Sequence, residues 1–431
     1  MLKSASYVTL ALAGLIAIGH TATAQTAPAD ATTTPSEELT DNDWRTMSRE
    51  ERRERGRRRA LRNYEPDGRQ PSLDRLDHYL AVFAKSTVYD PRYYRFEVKA
   101  THVEGTTGTV RLTGDAYHAH YKRGIEDALR GLGFNVENQI TALPTPEIVA
   151  TTPYAVSTTI AATVRSEPRR NAEQLNSVGL GGVLRVLRPA SESDVSSSAG
   201  TMGRRAPGAD RLAPDTWQDW MLVQTMDGYL GFARKADLKF TKEYRLPDGV
   251  VKAPVRLDNG TTVPAGAFVY ARGDNGWKLH SGEALPDSIS VTSLRASFTA
   301  EDIEKLLEPF MQTEYVWGGV TDAGIDCSGF SQFFTRAHGV MIPRDAVQQA
   351  NTGLIVAWGR DVQTQAQPGD LIFYANDNGR IGHVSISLGN GRIIHSIGRG
   401  VQFGDLSEDV SEDEVDNYDG RVLFARRVLA R

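Results

Sequence analysis

Strict alternation over Gly382-His383-Val384-Ser385-Ile386-Ser387-Leu388 puts His383, Ser385 and Ser387 on one face of a strand and the aliphatic residues on the other. Gly389-Asn390-Gly391 follows as a turn, and Arg392-Ile393-Ile394-His395 begins the return strand. With all three turn residues in the loop, Leu388 pairs with Arg392 and His395 falls opposite Ser385. His383 and His395 are then diagonal neighbours on one face, about 7–8 Å apart at the backbone, whereas a one-residue slip sends them to opposite faces. Upstream the period becomes helical. Phe330, Phe333, Phe334 and Ala337 recur at i, i+3, i+4 and i+7 behind Asp326-Cys327-Ser328-Gly329, which predicts an amphipathic helix with Cys327 in its first turn. A further helical stretch, AEDIEKLLEPFM, collects Ile303, Leu306, Leu307 and Phe310 on one face. Residues 298–431 therefore read as an α+β domain.

Earlier the pattern changes twice. Strands at Tyr94-Phe96-Val98, Thr109-Val110-Arg111-Leu112 and Gly133-Phe134-Asn135-Val136 accompany a helix from Tyr117 to Leu132, a small α/β unit over 73–148. Short strands then fill 153–242: Ile160 to Val164, Val183 to Leu187, Met221 to Gln224 and Tyr229 to Ala233, with Asp227-Gly228 as a tight turn. Between Pro189 and Thr216 lies a Ser-, Gly-, Ala- and Pro-rich insert that reads as a mobile loop. Thr163-Val164-Arg165-Ser166-Glu167-Pro168, Trp220 and Asp227-Gly228-Tyr229-Leu230-Gly231-Phe232 resemble a bacterial Src-homology-3-like barrel. Residues 243–297 repeat the idea in shorter form around Gly266 and Trp277, with a terminal strand near Ile289. The expectation is a multidomain chain: a small α/β unit, two small all-β barrels and a C-terminal α+β domain.

The 431 residues carry 49 Lys and Arg against 54 Asp and Glu, a net charge of −5, with 40% hydrophobic and 24% charged residues. Such a balance belongs to a globular chain of roughly two to four domains, and its mild acidity argues against nucleic acid as a partner. Lys3, the thirteen-residue apolar run from Tyr7 to Gly19 and Ala22-Thr23-Ala24 read as a cleaved signal peptide over 1–24. That run is too short to span ~30 Å of hydrocarbon as a helix. Residues 25–72 read as a linker. Within it, Arg45 to Arg62 holds nine Arg and three Glu, either a solvated, ion-paired helix or a tether to an anionic surface such as lipid head groups or a wall polymer. The protein is expected to be exported, to the periplasm or the extracellular space, and to be a monomer.

Export makes the cysteine count informative. Cys327 is the only cysteine, so no internal disulfide exists, and a lone thiol in an oxidising compartment is either buried and inert or chemically useful. A helix N-terminus lowers a thiol pKa, and the thiolate is the nucleophile. With His383 as base and His395 as the polar group orienting it, the parts of a triad are present. The single Cys and the absence of C-x-x-C or H-E-x-x-H spacing give no metal site, and no cofactor is expected.

Six strings then occur in order: Tyr315-Val316-Trp317-Gly318-Gly319, Asp326-Cys327-Ser328-Gly329-Phe330, Ile342-Pro343-Arg344-Asp345-Ala346, Pro368-Gly369-Asp370-Leu371-Ile372-Phe373, Gly382-His383-Val384 and Ile394-His395-Ser396. From Leu306 to Phe403 this closely resembles the NlpC-type papain-like cysteine peptidases of bacterial cell walls. The resemblance implies Cys327 as nucleophile, His383 as general base, His395 as third polar residue and Tyr315 as the tyrosine beside the oxyanion. The tandem barrels and the Pro-Arg-Asp-Ala string are similar to the dipeptidyl-peptidase VI group. Those enzymes cleave the γ-D-glutamyl bond to a diamino acid in peptidoglycan stem peptides or muropeptides, preferring a free N-terminal L-alanine. The implied substrate-binding residues are Trp317, Asp326, Ser328, Arg344 and Asp345, with Tyr229 and Glu173 from the first barrel, carboxylates facing the ammonium. Gly181-Gly182 departs from the Gly-Glu of relatives. Two rival readings are an amidase or acyltransferase using the same Cys-His-His site on another wall or lipid substrate, and a non-catalytic wall-binding protein.

Overall fold

The computed structural model describes residues 47–52, 73–88, 90–106, 108–195, 216–273, 276–294, 303–311, 313–376, 378–406 and 421–430. The expected signal peptide, most of the linker and Arg-rich segment, and residues 196–215 of the expected loop lie outside the described residues. Residues 49–52 form one helical turn, closed by Ser48 and Glu51, each donating its N–H to the other's side chain at 2.7 and 3.2 Å.

The α/β unit comprises α1 (Leu73–Thr87), β1 (Phe96–His102), β2 (Thr109–Tyr117), α2 (Ala119–Gly131), β3 (Asn135–Asn138) and β4 (Thr141–Leu143). β1 runs antiparallel to β2, while β3 and β4 run parallel to it. Leu76 and Leu80 of α1 and Ile125 and Leu129 of α2 bury their apolar faces around Val110 and Leu112. Tyr117 belongs to β2 rather than to the helix, because His118 takes φ 77° and breaks the chain direction between them.

After α3 (Pro146–Thr151) comes a seven-stranded antiparallel sheet. Its strands are β5 (Tyr154–Ser157), β6 (Ala161–Arg165), β7 (Gln174–Gly179), β8 (Val183–Pro189), β9 (Trp220–Gln224), β10 (Leu230–Arg234) and β11 (Leu238–Thr241), in the order β11-β5-β8-β9-β10-β6-β7. One face buries Val164, Val186 and Val223, the other Trp220, Leu222 and Phe232. The alternation rule passes over β7, since its last four residues are buried in succession. A smaller sheet follows, built from β12 (Gly249–Val251), β15 (Phe268–Ala271), β16 (Trp277–Lys278) and β17 (Val291–Ser293), with β13 (Val255–Arg256) and β14 (Thr262–Val263) as a separate hairpin. Among the described strand pairs, neither sheet joins its two end strands. No closed barrel forms among the described strand pairs over 153–242 and 243–297, where Src-homology-3-like barrels were expected.

The last part contains α4 (Ile303–Leu307), β18 (Val320–Thr321), β19 (Gly324–Ile325), α5 (Cys327–Arg336) and α6 (Ala346–Gln349). Its six-stranded antiparallel sheet has β20 (Leu354–Trp358), β21 (Leu371–Ala375), β22 (Ile381–Gly389), β23 (Arg392–Ile397), β24 (Gly400–Asp405) and β25 (Arg421–Arg427) in the order β20-β25-β21-β22-β23-β24. Phe310, Phe330, Phe333 and Phe334 pack with Phe373, Val384 and Ile394 in one core, each ring worth roughly 1.5–3 kcal/mol of burial. Val250 and Phe268 of the smaller sheet enter the same core. In consequence α5 is buried on every face, not only on its apolar one. Gln332 Nε2 donates to Asp227 Oδ2 at 3.0 Å, and the Arg336 guanidinium lies 5.0 Å over the Phe268 ring, where burial lowers its pKa to about 10. Among the described residues, no helix is long and apolar enough to cross a membrane.

Candidate active site

Two adjacent strands set the histidines. Ile386 pairs with Ile394 and Ser387 with Ile393, the register that puts Ser385 opposite His395. A bulge then lets Gly389, not Leu388, meet Arg392, and Asn390-Gly391 (φ 55° and 82°) make a two-residue turn. The expected diagonal results: His383 Nε2 and His395 Nδ1 are 2.9 Å apart, with their rings at 65°. Burial, and after it His395, hold the His383 imidazole well below its ordinary value, while burial lowers His395 to about 4.

Cys327 opens α5, where the helix leaves its first N–H groups without internal partners. Asp326 is the N-cap, its Oδ1 accepting from Gly329 N–H at 2.7 Å. Only glycine fits at 329, since a Cβ there would collide with the Gly319 carbonyl. The N–H groups of Val384, next to His383, and of Ser328 point at the sulfur and favour the thiolate. Burial, followed by the Asp326 charge, outweighs them and pushes the thiol up to about 12. Burial thus acts against both the thiolate and the imidazolium, the opposite direction to the lowered thiol expected from the helix terminus alone.

Asp326 and Arg344 line up differently from a substrate-facing pair. Both Asp326 oxygens are occupied: Arg344 donates to them at 2.9 and 2.6 Å, and Gly318 N–H donates to Oδ2 at 2.7 Å. Arg344 is 1% exposed and also reaches Ser328 Oγ at 2.7 Å and Asn176 Oδ1 at 2.8 Å. It holds the Cys327 turn against β7 instead of facing the cleft.

The cleft itself has a volume of about 240 Å³ and is lined by Cys327, Tyr315, Trp317, Asp326, Ser328 and Gly382 from the C-terminal part. Glu173 and Tyr229 reach it from the loops just before β7 and β10, and Asp345 from the start of α6. Tyr229 donates its hydroxyl to Asp345 Oδ2 at 3.2 Å, and burial raises both their pKa values. Of the expected site residues, Glu173, Tyr229, Tyr315, Trp317, Asp326, Cys327, Ser328 and Asp345 line this cleft. Arg344, His383 and His395 are not among its lining residues, although His383 stands between the lining Gly382 and Val384, whose N–H meets the sulfur. One charged lining residue was not foreseen: Arg92, between α1 and β1, which donates to Asp345 Oδ2 at 2.7 Å. Its neighbours Asp90-Pro91 signal only a turn. Among the described residues, no group of three or more His, Cys, Asp or Glu is arranged to hold a metal ion.

Residues 312–418 match the NlpC/P60 family. The gamma-D-glutamyl-L-lysine dipeptidyl-peptidase of Bacillus subtilis is 35% identical over 133 residues, covering 30% of this chain and 43% of that protein. The protein of the same name from Bacillus cereus is 37% identical over 136 residues, covering 31% and 36%. The bifunctional muramidase/DL-endopeptidase CwlT of Bacillus subtilis is 32% identical over 160 residues, covering 34% and 47%. Among solved structures, an NlpC/P60 family protein from Bacillus cereus covers 64% of this chain and 100% of its own, with a TM-score of 0.47 and 20% identity. The chain spans less than half the length of these curated relatives.

Proposed function

We propose, for a chain whose C-terminal domain belongs to the NlpC/P60 family of cysteine peptidases, that it is an exported endopeptidase cleaving the γ-D-glutamyl–diamino acid bond of peptidoglycan stem peptides. The observation that carries this reading is the 2.9 Å contact of His383 Nε2 with His395 Nδ1 beside the thiol at the start of α5. In the reaction, His383 Nδ1 takes the Cys327 proton as sulfur attacks the γ-carbonyl carbon, and Nε2–H donates to His395. N–H groups of the first helical turn, with Tyr315 alongside, stabilise the oxyanion. Collapse breaks the C–N bond, the proton on His383 passes to the leaving amine, and a thioester remains. Water, deprotonated by His383, then releases the γ-D-glutamyl carboxylate and restores the thiol.

The two β-sheet regions act in this reading as Src-homology-3-like positioning modules that wall the cleft with Glu173 and Tyr229. A free substrate ammonium needs a carboxylate whose charge is not fully matched: Asp326 is held by Arg344, Asp345 shares Arg92 with Asp90, and among the described residues Glu173 lines the cleft with no ion pair. Incubation with L-Ala-γ-D-Glu-meso-diaminopimelate, read by mass spectrometry, tests the bond. Release of L-Ala-D-Glu by the wild type and not by Cys327→Ala supports the reading, and intact peptide with folded protein refutes it.

A further inference from the structure

The turn between α1 and β1 belongs to the α/β unit, far in sequence from the catalytic residues, yet it touches two residues that line the cleft. The Asp90 carbonyl closes it, accepting from the N–H groups of Tyr93 and Tyr94 at 3.0 Å. On one side the turn is joined to the loop before β10. Leu230 N–H donates to the Arg92 carbonyl at 2.7 Å, and the Tyr93 ring meets the Tyr229 ring edge-on at 6.1 Å. Gly228 leaves room for that ring, since a Cβ there would come within 3.2 Å of it. On the other side the same turn holds the start of α6. The Tyr93 hydroxyl donates to Gln348 Oε1 at 2.7 Å, Gln348 Nε2 donates to Asp90 Oδ2 at 2.6 Å, and Arg92 NH1 donates to Asp345 Oδ2 at 2.7 Å. Gln348 Oε1 also accepts from Asp345 N–H at 3.2 Å.

Tyr229 and Asp345 are 116 positions apart, and their direct contact is one hydrogen bond of 3.2 Å. A single bond between two rotatable side chains fixes little. The turn adds the rest, by packing on Tyr229 and by bonding both Asp345 and its helix neighbour Gln348. Asp90 and Asp345 share the one Arg92 charge and Glu173 lines the same cleft, so this end is net negative and suits a cation. Attraction becomes selective only where the acceptors already stand at hydrogen-bond distance from the ligand. We infer that Tyr93 is a positioning residue for the amino end of the substrate: the turn that carries it holds Tyr229 and Asp345 in place before a free ammonium arrives. The inference rests on the peptidase reading above. Tyr93 is not among the residues lining the cleft, so it acts through the two that are.

The test compares kcat/KM on the full chain for L-Ala-γ-D-Glu-meso-diaminopimelate and for propionyl-γ-D-Glu-meso-diaminopimelate, which lacks only the ammonium group. The wild type is expected to favour the free amine by roughly tenfold or more. Tyr93→Leu should cut that ratio about tenfold, chiefly through KM for the free amine, with the propionyl peptide changed by less than about twofold. Tyr93→Phe keeps the ring on Tyr229 and loses the bond to Gln348, so its ratio should fall between. Should Tyr93→Leu not fold, the ratio of Tyr93→Phe decides alone. Equal losses on both peptides mark a merely structural role and overturn the proposal, as does an unchanged ratio. A wild type that cleaves both peptides alike also overturns it. If the wild type cleaves neither, the peptidase reading has failed separately, and calorimetry on Cys327→Ala decides the role of Tyr93. Tighter binding of the free amine, weakened in Cys327→Ala/Tyr93→Leu, supports it. Equal binding of the two peptides, or none, overturns it.

Discussion

His383 Nε2 lies 2.9 Å from His395 Nδ1, a contact made across β22 and β23 by residues twelve apart in the chain. One proton fits between the two nitrogens. If His383 is to accept at Nδ1, that proton sits on His383 Nε2 and His395 is the acceptor. An asparagine carbonyl oxygen occupies the same branch position as histidine Nδ1. His395→Asn is therefore expected to keep most of kcat, whereas His395→Ala loses it substantially. His383→Ala should cost roughly 10²–10⁴ in rate. Steady-state kinetics on the three variants checks the order, and equal losses for His395→Asn and His395→Ala would show that acceptor geometry at 395 is irrelevant.

The thiol offers a second prediction. Burial pushes Cys327 up to about 12 and lowers His383, so the sulfur is expected to keep its proton at neutral pH when no substrate is bound. Alkylation of this single cysteine by iodoacetamide is expected to accelerate steadily as pH rises above about 8. A rate already at its plateau between about pH 5 and 8 would instead reveal a preformed thiolate–imidazolium pair.

What the sequence made legible follows the range of the forces involved. The β22–β23 hairpin is readable because its period of two and its turn residues lie within one short segment, and the strand register came through even with the bulge at Gly389. The cysteine helix is equally local. By contrast, Arg92 and Asp345 are 253 positions apart, and no periodicity signals their meeting. The full burial of α5 depends on Asp227 and Phe268 arriving from two other sheets, so amphipathic spacing describes only one of its faces. Asp326 could be read as a carboxylate but not as one already saturated by Arg344, Gly318 and Gly329.

That saturation predicts a structural role. Arg344 and Asp326 form a buried ion pair at 2.6 Å, with the arginine 1% exposed. Removing one partner leaves an uncompensated charge in the interior, at a cost of about 3–5 kcal/mol. Arg344→Met should lower the urea midpoint accordingly, and Asp326→Asn should do so as well while retaining a side-chain cap. A variant of Arg344 that lost only substrate affinity, at unchanged stability, would return the residue to the cleft.

Acid stability supplies the last test. His383 and His395 are both held below the ordinary imidazole value, His395 at about 4, because burial disfavours their charged forms. The unfolded chain, with its histidines near 6.5, then binds protons that the folded chain refuses. Stability is complete above about pH 6.5 and declines as pH falls toward 4. Each unit of separation is worth ~1.36 kcal/mol, which for the half-buried His395 amounts to on the order of 2 kcal/mol across that window. Asp345, raised by burial, acts in the opposite sense at the lower end of the range and softens the fall. Urea unfolding at pH 7 and at pH 5 should therefore show a loss in the wild type that is clearly smaller in His383→Asn/His395→Asn. Parallel losses in the two proteins would move the origin of acid sensitivity away from this histidine pair.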